Sequence, residues 1–484
     1  MELDSVFLLA GTSQISPAVS LAPFASPDHF DPQLQAFLEQ ASARLCDWLG
    51  SASHRGPLPA LSVLPEVAPP SRHGLSSDAL LEDLQLVMEG AFQPSHPGAL
   101  AHLDPPPLTA SIAADLICAG LNNNLLAEEL SPGLSRLERQ ICSWFAERFG
   151  LPFKAGGVAA SGGSLSNLMA LVVARQQANL QQDPQAVVLA SADAHVSLLK
   201  ATRVMGLAAD ALQRVPVDEG GRIDLHALEH QLKILRSQGR RCFAVVATAG
   251  TTVRGAVDPL APMAALCARE GLWLHVDAAI GGAFALSPST ALAVEGLAQA
   301  DSIMVNPQKL LGITKTSSLL LVADRTHLES AFSTDLPYME PAWGEAHGGD
   351  MGLQGSRPAE VLKLWLGLRQ LGEKGIEDLL DGAIQRRCYL QNQLDSTRLT
   401  ILTGPLHVLA CCPSHAAREQ VEQWSVATRQ RLLDHHLMLS RPLHQGRHFL
   451  KAVLGNPHTQ SGHLDQLAAL LNQSLLNQSL PEFP

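Results

Sequence analysis

The sequence lacks any C-x-x-C spacing among its eight cysteines, and two of them, Cys411 and Cys412, are adjacent. Scattered thiols in a long chain read as reduced, mostly buried residues of a cytoplasmic protein. No Lys/Arg cluster relieves the net charge of −12, so a nucleic-acid partner lacks the basic face it would need. No apolar stretch reaches membrane length without a polar break. The N-terminal run, Val6 to Ala10, is too short for a span or a signal core, and acidic residues precede it. A soluble cytoplasmic protein without a membrane partner is therefore expected. The nucleoside-triphosphate loop G-x-x-x-x-G-K-[ST] is absent, as is G-x-G-x-x-G, and there is no internal repeat or low-complexity tract.

What is present describes a well-buried enzyme-sized chain. Of its 484 residues 46% are apolar and only 17% charged, which calls for more than one packed unit. Residues 1–95 read as an N-terminal arm with one helix over Gln33–Leu49 and a proline-rich stretch from Ser51 to Gly74. Residues 96–372 read as the large domain. Ser131-Pro132 is a helix start, with Leu134, Leu137, Ile141 and Phe145 on one face before Gly150. Short apolar runs follow at Val187–Ala190, Phe243–Ala247, Leu272–Val276, Ile303–Val305 and Leu319–Val322, with helices such as Leu165–Leu180 and Pro259–Glu270 between them. That alternation predicts an α/β fold with a mainly parallel central sheet covered on both faces. A long helix after Leu364 leads to residues 373–484, a smaller C-terminal domain ending in the amphipathic segment Gly462–Asn472.

In such a sheet ligands sit at the carboxyl ends of the strands. Polar residues that end an apolar run there are His195, Thr248 to Thr252, Asp277 and Asn306 to Lys309. Lys309 is either a desolvated amine able to attack a carbonyl or a lysine snorkelling to the surface. Asp277 either faces a pyridine nitrogen, with Ala279 flat against the ring, or caps the Gly281-Gly282 turn. Gly163 and Ser164 open a helix, where bare N–H groups wrap a phosphate or merely form a turn. His195 either stacks on a ring and moves a proton or is a satisfied turn histidine. Together, a phosphate cradle, a ring acid, a flat alanine, a stacking histidine and an amine are the parts that pyridoxal 5'-phosphate (PLP) requires. No metal site is indicated.

The segments ASGGSLSNLMAL, DAHVSLLKA, ATAGTTVRGAVDPL, GLWLHVDAAIGGAF, ADSIMVNPQKLL and LQGSRPAEVLKLWL, in that order, resemble the group II PLP-dependent amino-acid decarboxylases. That family includes the glutamate, aromatic amino acid and 2,4-diaminobutyrate decarboxylases, and the resemblance runs from about His96 to Leu371. It implies PLP fold type I with a smaller C-terminal α+β domain, and a homodimer with active sites at the subunit interface. It implies that Lys309 carries the cofactor as a Schiff base, Asp277 pairs with the pyridine nitrogen and His195 stacks on the ring. Gly163, Ser164 and Asn306 would hold the phosphate, Thr252 would lie beside ring and substrate, and Lys451 would meet the substrate carboxylate.

Three places depart from the family pattern. Gln308 stands where relatives carry a histidine, so a neutral amide would face the phosphate. Lys315 and Ser317 replace residues that are usually apolar or small. Over Phe332–Asp350, where relatives have a mobile loop with a tyrosine that protonates the carbanion, Tyr338 is the one tyrosine. It is either that proton donor or a packed structural residue. HLDPPPL and GLNNNLLAEELSPG resemble the bacterial diaminobutyrate branch, and Asn122 either lines a polar substrate pocket or belongs to a turn. A polar substrate such as L-2,4-diaminobutyrate is expected first, then glutamate, aspartate or cysteine sulfinate, then aromatic amino acids. A different PLP reaction, or a PLP-binding protein with altered or lost activity, is the rival.

Overall fold

The computed structural model describes residues 21–59, 69–70, 72–334 and 347–474, so Tyr338 and most of its loop lie outside the described residues. The chain divides into two compact units, Met1–His96 and Pro97–Pro484. In the first, the Asp31 carboxylate caps the helix Pro32–Gly50 by accepting from the N–H groups of Gln33 and Leu34 at 2.9 and 3.0 Å. Arg44 of that helix donates to the Leu81 carbonyl of the helix Ser77–Glu89 at 2.9 Å.

The second unit holds the central sheet. Its strands are β1 (Gly156–Ala160), β2 (Val187–Ser191), β3 (Leu212–Val215), β4 (Cys242–Thr248), β5 (Trp273–Asp277), β6 (Ser302–Val305) and β7 (Ser318–Val322). They lie side by side in the order β1-β7-β6-β5-β4-β2-β3. All pairs are parallel except those of β7, which runs against both β6 and β1. The expected mainly parallel sheet is therefore present, with one reversed strand inside it. Its runs are apolar because alternate residues are buried on opposite faces. Val187 and Leu189 of β2 pack with Phe145 and Phe284 on one side, while Val188 and Ala190 pack with Met169 and Leu171 on the other.

The helix Pro132–Arg148 begins at its proline as the sequence implies, and the chain turns away at Gly150 with φ +75°. The long helix Val361–Gln393 breaks at Gly372, whose φ of +61° lies in the left-handed region that glycine adopts without strain. Beyond it, strands Leu399–Thr403, Val408–Pro413 and Leu450–Val453 form an antiparallel sheet. The helices Arg418–Asp434 and Ser461–Gln473 contribute Trp424, Leu467 and Leu471 to the separate core beneath it. Among the described residues, no helix is long and apolar enough to cross a membrane.

Candidate active site

Because β1, β2, β4, β5 and β6 point the same way, the loops that leave their carboxyl ends converge. They enclose a cavity of about 220 Å³ lined by Gly163, Ser164, His195, Thr252, Asp277, Ala279, Asn306 and Lys309, with Asp193, Thr248 and Thr251 beside them. Residues far apart in sequence are thus brought to one rim by strand direction alone.

Asp277 ends β5 opposite Thr248 of β4 and Met304 of β6 and is buried. Its Oδ2 accepts from Asn167 Nδ2 at 2.9 Å and its Oδ1 from the Ala279 N–H at 3.2 Å. The Gly281-Gly282 turn does not need it, since those two N–H groups donate to the carbonyls of Ala249 and Ala278 at 2.8 Å. Lys309 follows β6 in the short turn Pro307–Lys309 and turns its side chain to the cavity. Burial lowers the pKa of its amine below the ordinary 10.5, while the charges of Asp277 and Asp104 oppose that shift.

His195 sits between β2 and the helix Ser197–Val204, on the exposed side of the cavity. Partial withdrawal from water lowers its pKa, Asp277 acts the other way, and Lys309 and Lys200 lower it further. The Thr248–Thr252 loop is held from below by Asp258. That carboxylate accepts from the N–H groups of Thr248 and Ile223, both at 2.7 Å, and burial pushes its pKa up to about 6.

Other expected residues lie apart from the cavity wall. The Gln308 side-chain oxygen accepts from the Ser317 N–H, so two of the departures from the family pattern touch each other. Lys451 is buried in the strand Leu450–Val453, and burial together with the positive charge of Lys309 lowers its pKa to about 8. Asn122 ends the helix Thr109–Leu121 with φ +46° and borders a separate hollow with Asn123, Asn124 and Ser356.

The cavity fits PLP. The helix Gly163–Gln177 makes its first internal bonds from Leu165 and Ser166 to the Gly162 carbonyl, so the N–H groups of Gly163 and Ser164 precede the bonded ladder. A Cβ at Gly163 would come within 2.8 Å of Asn306 Nδ2, so the cradle is open only because glycine is there. The Asn306 amide oxygen is buried without a partner among the described residues, so nothing bonded to it there keeps the amide from turning its NH2 to a phosphate. Opposite stand a desolvated amine, a buried acid and the small, buried Ala279. Those residues would hold the phosphate, the carbonyl carbon, the ring nitrogen and the ring face of the cofactor.

Fold and site together define a PLP enzyme of the α/β class. A family model described as the pyridoxal-dependent decarboxylase conserved domain matches residues 60–412, and the chain belongs to that family. It is 32% identical over 355 residues to an L-2,4-diaminobutyrate decarboxylase of Rhizobium meliloti, covering 72% of this chain and 70% of that one. It is 29% identical over 431 residues to a cysteine sulfinic acid decarboxylase of Rattus norvegicus, covering 83% and 86%. A crystal structure of mouse CSAD superposes with a TM-score of 0.84 at 25% identity, over 92% of this chain and 99% of that one. This chain is accordingly a PLP-dependent amino-acid decarboxylase.

The structure adds site residues that strand-end reasoning passes over: Asn167, Ser197 and His275 behind Asp277, Asp104, whose charge acts on Lys309 and Lys451, and His102, on which Lys451 acts. His275 had a signal in the sequence, a single polar residue inside the apolar run of β5. Asn167 had none beyond its place in the helix that opens with Gly163.

Proposed function

We propose that the substrate is a polar L-amino acid with a second amino group, L-2,4-diaminobutyrate foremost, and that it loses CO2 to give the amine. The observation that carries the substrate class is Asp104. Its carboxylate acts on both Lys309 and Lys451, and its ion pair at 2.5 Å is with Lys315, a half-exposed lysine that a substrate ammonium can displace. The likeness to a diaminobutyrate decarboxylase supports the same class.

When bound, PLP supplies an electron sink for the pair released as CO2 leaves. The chain's own groups do the rest. Lys309 holds the cofactor covalently, and Asp277 keeps a positive charge on the ring nitrogen. Gly163, Ser164 and Asn306 grip the phosphate, Ala279 admits the ring, and Thr252 lies beside the substrate. Lys451 draws the α-carboxylate into place, and His195 would stack on the ring and hold a proton. Ser164, His195 and Thr252 stay exposed on one side of the cavity, where a second copy of a homodimer would cover them. A cytoplasmic enzyme built from a large domain, 96–372, and a small one, 373–484, completes the proposal.

The test is CO2 release by the PLP-loaded protein across a panel of amino acids. Diaminobutyrate should give the highest kcat/KM, and Asp104→Asn should lower it by ~10-fold or more while sparing neutral substrates. Acidic amino acids form the second class, because Lys315 would meet a side-chain carboxylate while Lys451 holds the α-carboxylate. A preference for them that Asp104→Asn increases would replace the diaminobutyrate assignment.

A further inference from the structure

Behind the cavity, Asn167 and His275 are fully buried in a chain of hydrogen bonds whose direction follows from its two ends. The Asp277 carboxylate only accepts, and the Trp273 indole only donates. The group of Asn167 that stands 2.9 Å from Asp277 Oδ2 is therefore its NH2. Its amide oxygen faces His275 Nε2 at 2.9 Å, so that nitrogen carries a proton. From the other end, Trp273 donates to Ser302 Oγ at 2.8 Å, which leaves the Ser302 hydrogen for His275 Nδ1 at 2.9 Å. A proton on Nδ1 as well would give the Ser302 oxygen two donors and its own hydrogen no acceptor. His275 is thus neutral, and burial acts in the same sense by lowering its pKa to about 4.

The chain branches at Asn167. Its second amide hydrogen goes to Ser197 Oγ at 2.8 Å. Ser197 then turns its own hydrogen to His195 Nδ1 at 2.9 Å, and the Ser197 backbone N–H approaches the same nitrogen at 3.2 Å. His195 accepts at Nδ1 and so keeps its proton on Nε2.

We propose that Asn167 is a positioning residue that sets two groups at once: it holds Asp277 as an acceptor toward the ring nitrogen and, through Ser197, fixes the His195 proton on Nε2. The proposal rests on the roles given above to Asp277 and His195. It also explains the economy of the helix Gly163–Gln177, which opens with the phosphate cradle and carries Asn167 one turn later, at the level of Asp277.

The experiment uses the full chain with ring-¹⁵N histidine, with and without PLP, and reads the imidazole protons by long-range ¹H–¹⁵N correlation. His195 and His275 are assigned by replacement with Gln. Wild type should show both rings neutral at pH 7 with the proton on Nε2. A His195 proton on Nδ1, or a charged His275, overturns the proposal. The isosteric variant Asn167→Asp fills the same space, but beside Asp277 it keeps at most one proton and so cannot donate to Asp277 and Ser197 together. It should shift both histidine signals, alter the visible spectrum of bound PLP and lower kcat by roughly 100-fold, while Lys309 still takes up the cofactor. Unchanged histidine signals, spectrum and kcat in that variant would sink the idea. If Asn167→Asp does not fold, Ser197→Ala reads the His195 branch, where an unmoved His195 signal counts against the proposal. The histidine spectra of the cofactor-free protein need no turnover. They therefore fail or succeed separately from the decarboxylase assignment, which CO2 release decides.

Discussion

The molecule has a hollow larger than its candidate active site, and the two differ in how their charges are used. The larger, about 330 Å³, is lined by Ser135, Glu138, Arg139, Arg325, Gly348 and Arg357 among others. There Arg357 grips Glu138 with both Nη atoms at 2.5 and 2.6 Å, and Arg139 holds Glu128 at 2.7 Å. The smaller, at the strand ends, contains Lys309 and Asp277 without an ion pair between them among the described residues. Asp277 is instead steadied by neutral donors, and the Lys309 amine has burial acting on its charge. Paired charges consume their own capacity and brace the fold. Charges set near one another but left unpaired keep that capacity for something that arrives. Volume alone does not single out the site, since the hollow beside Asn122 is larger still, at about 580 Å³.

The largest expected effects separate the two directly. Lys309→Ala should remove the visible band of bound PLP and lower turnover by ~1000-fold or more, with little change in thermal unfolding. Glu138→Gln leaves the buried Arg357 charge unpaired, which should cost about 3–5 kcal/mol in denaturant unfolding and leave the spectrum per folded molecule unchanged. If Lys309→Ala unfolded the protein, or Glu138→Gln erased the PLP band while remaining folded, the division between bracing and working charges would collapse.

A smaller effect compares two buried histidines. His275 has a partner on each ring nitrogen, whereas His407 stacks on Phe284 and has none among the described residues. Burial lowers them to about 4 and about 3 from an ordinary 6.5. Unfolded histidine takes up a proton below pH 6.5, but the native rings do not until pH falls to those values. The unfolded state therefore binds more protons across this window, so stability falls as pH drops from 6.5 to about 4 and then levels for His275. Each ring contributes roughly 3 kcal/mol to that loss. His407→Leu, which forfeits no hydrogen bond, should flatten the slope of urea-unfolding stability between pH 6.5 and 4. An unchanged slope would mean that His407 is not buried neutral.

What the sequence made legible follows the same physics. Apolar runs ending in polar residues marked β2, β4, β5, β6 and β7, and with the strand-end rule they brought His195, Thr252, Asp277 and Lys309 to one cavity. β1, with the sequence GGVAA, has too little apolar bulk to stand out, and β3, LQRV, is an edge strand with polar positions. The reversal of β7 was invisible because SLLLV reads alike in both directions. Lys451 came from the family resemblance alone, and Asp104 and Asn167 depend on elements that pack together only in three dimensions. Neither a short run nor a spacing carries that information.

The smallest effect sharpens the comparison at a single carbon. A Cβ at Gly163 would crowd Asn306 Nδ2 at 2.8 Å and press on the Met304 methyl, whereas one at Gly133, in the first turn of the helix Pro132–Arg148, meets nothing within 4 Å. Gly133→Ala should therefore leave PLP affinity alone and raise stability by up to ~1 kcal/mol, since alanine gives up less backbone freedom. Gly163→Ala should weaken PLP binding by ~10-fold, because Asn306 must move from the place where it would meet the phosphate. Both are read by titrating PLP against the change in protein fluorescence, alongside thermal unfolding. Equal affinities in the two variants would mean that the first turn of the helix Gly163–Gln177 does not hold the phosphate. The cradle would then have to be sought among the donors of the Thr248–Thr252 loop, whose Thr248 hydroxyl is buried without a partner among the described residues.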